Sequence, residues 1–225
     1  ALSSSNKSIN AGFDGAFAWK NRGIAFFGLG KNNEALLSYN EGIKIDSSDP
    51  EAWAGKGMAL AEMGMYEESL NSYNTSLDLD KSKSDIWAKK SKVLNELAMY
   101  NEAIISSTKA IDLNPFDATA WSIKGNAQYN LGKNEDALKS FEKTLEINPL
   151  DSSAWYSKGL VLVDMGVYEA ALDSFDKATK IDPINIASWV NRGNILLKMN
   201  RSEDALSSYE KALELNPSSS AAWYG

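Results

Sequence analysis

Between residues 152 and 185 the apolar positions fall three and four apart in two separate runs. Trp155, Gly159 and Leu162 share one helical face, and Ala171, Phe175 and Ala178 share another. The runs are divided by Met165-Gly166-Val167-Tyr168. A glycine there suits the left-handed turn with which helices commonly end. The pattern predicts two helices joined by a short turn. It then recurs along the whole chain. The tryptophans stand at Trp19, Trp53, Trp87, Trp121, Trp155, Trp189 and Trp223, and every gap is 34 residues. A fixed period of this length marks a repeat architecture, in which each unit buries its apolar face on its neighbours.

Placing the tryptophan fourth gives six units: 16–49, 50–83, 84–117, 118–151, 152–185 and 186–219. Other positions recur with it. The eighth is Gly23, Gly57, Ser91, Gly125, Gly159 and Gly193, and the twentieth is Ala or Ser throughout. The twenty-fourth is Tyr39, Tyr73, Ser107, Phe141, Phe175 and Tyr209. Small residues at 8 and 20 allow two helix backbones to approach closely. The tryptophan and the second aromatic are expected to fill the volume beside that contact. Asp49 before Pro50 reads as an N-cap followed by a first-turn proline. Residues 1–15 align with a second helix, as of a truncated preceding repeat, and 220–225 with the start of a truncated seventh.

These recurrent positions, with Asn-Pro near the unit ends, resemble the tetratricopeptide repeat over residues 16–219. The resemblance implies an all-α fold: a right-handed superhelical solenoid of antiparallel helix pairs with a concave groove. It also implies a protein-interaction scaffold that is not an enzyme and has no catalytic residues.

Composition narrows the chemistry. The chain has no Cys and no His, which removes thiolate chemistry, imidazole metal ligands and the usual general base. No cofactor and no metal are expected. No apolar run is long enough to span a bilayer, so no membrane partner and a cytoplasmic location are expected. The net charge of −7 opposes binding to phosphate backbones, so no nucleic acid is expected.

Residues that vary between units are the candidates for function. By the resemblance, positions 2, 5, 6, 9, 12 and 13 of the first helix line the groove. The candidate partner-binding residues are Phe17, Lys20, Asn21, Ile24, Phe27, Met58, Lys89, Lys92, Asn95, Asn126, Tyr129, Tyr156, Leu160, Asn191 and Asn194. The apolar ones form pockets for partner side chains, or else pack against neighbouring first helices. Ala88, Ile123 and Val190 share these positions. The stretch 80–92 gathers Lys81, Lys83, Lys89, Lys90 and Lys92. It is a site for an acidic segment of a partner, a solvated charge run, or a soft joint in the array. The seventh position is basic in every unit, from Arg22 to Arg192, with Asp46, Asp80 and Asp182 as expected local partners. The family's chaperone-type carboxylate clamp is incomplete, because Ile24 stands where it needs Asn.

The function expected is binding of a protein or peptide ligand, with acidic ones suited to the lysines. The alternative is a self-assembling structural solenoid, packing end to end or through its groove.

Overall fold

The computed structural model of the protein describes residues 15–223. The expectations for residues 1–14 and for the last two residues lie outside these. The described residues form thirteen helices and no strand, so the expected all-α class is what the chain adopts. Two compact units result, one ending at Pro115 and the other beginning at Phe116. The first holds α1 (Gly15–Gly28), α2 (Asn32–Ile45), α3 (Pro50–Glu62), α4 (Tyr66–Leu79), α5 (Ser84–Glu96) and α6 (Tyr100–Leu113). The second holds α7 (Ala118–Asn130), α8 (Asn134–Ile147), α9 (Ser152–Asp164), α10 (Tyr168–Ile181), α11 (Ile186–Lys198), α12 (Ser202–Leu215) and the short α13 (Ser220–Trp223).

Local chemistry sets the helix ends. Asp49, Asp117, Asp151 and Asn185 cap α3, α7, α9 and α11 by accepting from backbone N–H groups of the first turn. Lys83 occupies the same place before α5 and offers no side-chain cap. Gly166 takes φ +75° in the turn before α10, as its position in the sequence predicts. Ala98 adopts φ +56° in the corresponding turn before α6, a conformation costly for any residue with a Cβ.

Within a pair, the eighth-position glycine lies under the aromatic of the second helix. A Cβ on Gly159 would stand 2.6 Å from Phe175 Cε1, and one on Gly23 would stand 2.7 Å from Tyr39 Cε1. Tyr39, Tyr73, Phe141 and Phe175 are among the largest fully buried side chains. Burying such a ring is worth about 1.5–3 kcal/mol. The third pair replaces glycine and ring by two serines. Ser91 Oγ donates to the Ala88 carbonyl at 2.7 Å, and Ser107 Oγ to that of Ala103 at 2.8 Å.

Two expectations need correction. The tryptophans are not core residues beside the second aromatic. Trp19 to Trp189 are half-buried, Trp223 is exposed, and the residue before each is the buried one, as with Ala52, Ile86 and Ala154. The indole lies over the junction between repeats instead. Its Nε1–H donates to the carbonyl six residues back: Trp53 to Ser47, Trp87 to Lys81, Trp155 to Pro149 and Trp189 to Pro183, each at 2.9–3.0 Å. The seventh-position cation sits above the same indole. Lys56, Lys90, Lys124 and Lys158 lie 5.1–5.5 Å from the ring centroids.

The partners expected for those cations are engaged elsewhere. Asp46 and Asp80 close their turns by accepting from Ser48 and Ser82, and these hydrogen bonds hold both carboxyls below the usual carboxylate range. Asp182 accepts from the Ile184 amide. The acids that meet the ladder come from the preceding second helix: Glu142 pairs with Lys158, and Asp176 with Arg192.

Candidate functional site

In the first unit α1 touches α3, and α3 touches α5. The first helices of successive repeats therefore make one face, and the expected groove positions fall on it. That face carries a cavity of about 720 Å³ lined by Phe27, Met58, Tyr66, Tyr73 and Val93, with Lys89, Lys92, Glu62 and Glu96. Beside it is a smaller cavity of about 260 Å³, lined by Ile24, Ala54, Met58 and Ile86 with Glu51, Asp85 and Lys83. Met58 belongs to both. The structure thus brings together Phe27, Met58, Lys89 and Lys92 in one cavity, and Ile24 and Met58 in the other.

Several candidates in this unit are placed differently. Lys20 has little exposure and is held by Asp49 at 2.8 Å and Glu51 at 2.9 Å. Burial pulls its ammonium pKa down, but the two carboxylates outweigh burial and leave it above its ordinary value. Phe17 is exposed at the start of α1, while Asn21 and Asn95 are half-buried. Ala88 is buried, so its repeat position does not line a groove here. Of the five lysines of 81–92 only Lys89 and Lys92 share the larger cavity. Lys83 bridges Glu51 and Asp80, Lys89 pairs with Asp85 at 2.8 Å, and Lys90 lies over Trp87. Lys92 is exposed on the cavity wall and makes no ion pair among the described residues.

In the second unit Tyr129 and the pair Tyr156 and Asn191 tie neighbouring repeats together, while Asn126 and Asn194 bond within their own repeats. Tyr129 Oη donates to Asp164 Oδ2 at 2.8 Å. Burial, then the Asp164 carboxylate, push its phenol up to about 12. Asn191 Nδ2 donates to Tyr156 Oη at 3.2 Å and to the Ala187 carbonyl at 3.0 Å. Asn194 Oδ1 accepts from Tyr209 Oη at 2.8 Å, and the Asn126 carbonyl accepts from Asn130. Tyr156 and Leu160 pack against the hydrophobic cluster around Phe175. Ile123 and Val190 are buried, Val190 within that same cluster, so at these two positions packing is realised and not a groove lining.

Tyr66, Val93, Glu62 and Glu96 line the larger cavity although sequence reasoning did not select all of them for it. Tyr66 opens a second helix, whereas the expected groove positions lie on first helices. Its bulk, four residues after Glu62, was the available signal.

The chain has neither His nor Cys, so no imidazole or thiol lines either cavity. What they offer is apolar volume with charged groups at the rim. No helix among the described residues is long and apolar enough to cross a membrane.

Comparison with known proteins agrees with this architecture. Sequence profiles described as tetratricopeptide repeat match residues 50–83, 84–117, 124–185 and 186–219, and one described as TPR repeat matches 23–64. No curated protein sequence matches significantly. Among solved structures, PilW, a type IV pilus biogenesis factor, superposes with TM-score 0.83 at 14% identity, covering 93% of this chain and 97% of that one. Pseudomonas aeruginosa pilF superposes with TM-score 0.81 at 19% identity, covering 93% and 96%. YrrB, a TPR protein with an unusual peptide-binding site, gives 0.68 at 23% identity, covering 83% and 96%. At these identities the likeness shows a common fold. With profiles matching from residue 23 to residue 219, the chain belongs to the tetratricopeptide repeat family.

Proposed function

We propose that the protein is a non-enzymatic interaction scaffold that binds a peptide or helix of a partner protein on the first-helix face of the unit ending at Pro115. The observation that carries this reading is the cavity of about 720 Å³ between Phe27, Met58, Tyr66 and Val93, with Lys92 at its wall. Apolar volume of this size takes partner side chains, and a few polar groups fix their orientation. Lys92 favours a segment with an acidic residue beside its apolar anchors. The similarity to YrrB, a TPR protein with an unusual peptide-binding site, supports the reading.

The test is a peptide-display selection on the chain beside Met58→Asp and Lys92→Glu variants. Enriched peptides should lose at least tenfold in affinity to Met58→Asp, and acidic positions should vanish from the Lys92→Glu pool. Peptides that bind all three proteins equally would place recognition elsewhere.

Self-assembly is the second reading. Leu150 and Ile184, at the same place in successive repeats, are 74% and 75% exposed. A second copy would cover such apolar surface. A sedimentation coefficient that rises with concentration, and stops rising in Leu150→Glu/Ile184→Glu, is the expected sign.

A further inference from the structure

Tyr66 opens α4 as the seventeenth residue of its repeat, and Tyr168 holds the same place at the start of α10. In the second unit a cation stands over that ring: Lys198 Nζ lies 5.3 Å from the Tyr168 centroid. Lys198 is the thirteenth residue of the following repeat. Counted from Tyr66, the same place is Glu96. Four residues before each ring comes an acid, Asp164 in one case and Glu62 in the other. The corner around Tyr66 thus keeps the ring and the acid, and has a second carboxylate where its counterpart has an ammonium.

This corner is open to a ligand. Tyr66, Glu62 and Glu96 all line the cavity of about 720 Å³. Tyr66 is half-buried, and both glutamates are exposed. Neither glutamate makes an ion pair or a hydrogen bond among the described residues. Burial pushes the Tyr73 phenol up and the Glu62 and Asp85 charges add to this, so the Glu62 charge is felt at the cavity floor. Two lysines share the lining. Lys89 is matched by Asp85 at 2.8 Å. Lys92 stands one helical turn before Glu96 on α5, about 6 Å back along the axis. A lysine four residues ahead of a glutamate is the weaker order for a pair on one helix, and that pair is not formed here. The cavity therefore has an anionic end at Tyr66 and a cationic end at Lys92, with two unmatched carboxylates against one unmatched ammonium.

We infer that the anionic end is a subsite for an arginine side chain of a bound peptide. The guanidinium stacks on the Tyr66 ring, as Lys198 lies over Tyr168, and its N–H groups donate to the Glu62 and Glu96 carboxylates. Its methylenes lie along Phe27 and Met58. An acidic side chain at this end meets two like charges. With a net charge of −7, the chain as a whole also favours the approach of a basic segment. The inference rests on the reading of the first-helix face as a peptide groove. It orients the peptide there, with a basic residue at Tyr66 and any acidic residue toward Lys92.

The probe is Nα-acetylarginine methylamide, titrated at constant ionic strength while the Met58 methyl and Tyr66 ring resonances are followed by NMR. The citrulline analogue, of similar shape without the charge, runs beside it. Saturable shifts with the arginine probe, at least fivefold weaker with citrulline, are expected. Glu96→Lys rebuilds the arrangement at Tyr168 and should weaken arginine binding at least tenfold. Its exposed place in the last turn of α5 suits a cation. Lys92→Glu removes the unmatched ammonium and should tighten binding of the same probe. Arginine and citrulline bound alike, no binding of either, undiminished binding in Glu96→Lys, or weaker binding in Lys92→Glu would each overturn the inference. If the probe behaves as expected while peptide display enriches nothing, the groove reading fails and the subsite stands. If groove peptides enrich with no basic position sensitive to Glu96→Lys, the subsite fails and the groove stands.

Discussion

Ala98 holds a left-handed φ of +56° where four of the six corresponding turns have glycine. A Cβ in that region costs roughly 1–2 kcal/mol. Ala98→Gly is therefore expected to raise the unfolding free energy by about 1 kcal/mol, with Gly166→Ala losing a similar amount. Urea unfolding of the two variants checks the pair, and a destabilised Ala98→Gly would mean that its methyl packs against something. A second expectation concerns alkaline pH. The phenols of Tyr39 and Tyr129 stand at about 12, above the value of about 10 for a free tyrosine. A group that holds its proton more tightly in the folded state adds stability that is fully present below about pH 10 and lost as pH rises through its folded pKa, about 12. The urea midpoint should fall across that window, and less steeply in Tyr39→Phe/Tyr129→Phe. At this scale the sequence was legible where one position has one job. The turn glycine and the small eighth residue could be read directly. The neighbours Ala154 and Trp155 could not be ordered by burial, because adjacent positions of one helix share a side. Which one is covered depends on how the preceding repeat docks.

The helices show how far period and capping chemistry reach. A 34-residue repeat with a glycine break predicts two helices per unit, and Asp49 before Pro50 predicts where α3 starts. The same logic exposes an omission. The backbone at Lys83 is already extended, with φ −82° and ψ 90°, close to that of Asp117 and Asp151, yet its side chain accepts nothing. Lys83→Asn should therefore stabilise by about 0.5–1 kcal/mol, while Asp151→Ala should cost about 1 kcal/mol. Thermal unfolding resolves both. An unchanged midpoint in Lys83→Asn would show that its ion pairs with Glu51 and Asp80, although long, offset the missing cap. The candidate site was only half legible at this scale. The family's groove positions named Ile24, Phe27, Met58, Lys89 and Lys92, which do line cavities. They named Tyr129, Tyr156 and Asn191 by the same rule, and these bond to the next repeat instead. Spacing tells which face a residue occupies, not whether a partner 35 residues on already uses it.

For the chain as a whole, charge sets the background against which any local site works. With 23 basic and 30 acidic residues, an acidic ligand meets a repulsive surface except where lysines stand clear of carboxylates. Of the five lysines in 81–92, two are paired with acids and one is stacked on an indole. Acidic peptides should therefore bind weakly and depend on Lys92 more than on Lys89. Raising salt from roughly 50 to 500 mM should reduce any affinity gained from Lys92 several-fold by screening. Calorimetry of one acidic peptide at two salt concentrations, with Lys92→Gln alongside Lys89→Gln, decides this. A larger loss in Lys89→Gln would show that its pair with Asp85 opens for the ligand. The sequence could count these lysines but not sort them, because their counter-charges come from α3, from the turn before α5 and from their own helix.

The indole stacked beneath a cation and bonded to the turn behind it recurs at one place in four repeats, at Trp53, Trp87, Trp155 and Trp189. The boundaries behind these four tryptophans thus each carry a fluorophore, half-sheltered in the docked state. Replacing all but one tryptophan by phenylalanine would give a set of proteins whose emission each reports a single seam. Under graded denaturant, the order in which those spectra shift to the red would map how the array comes apart.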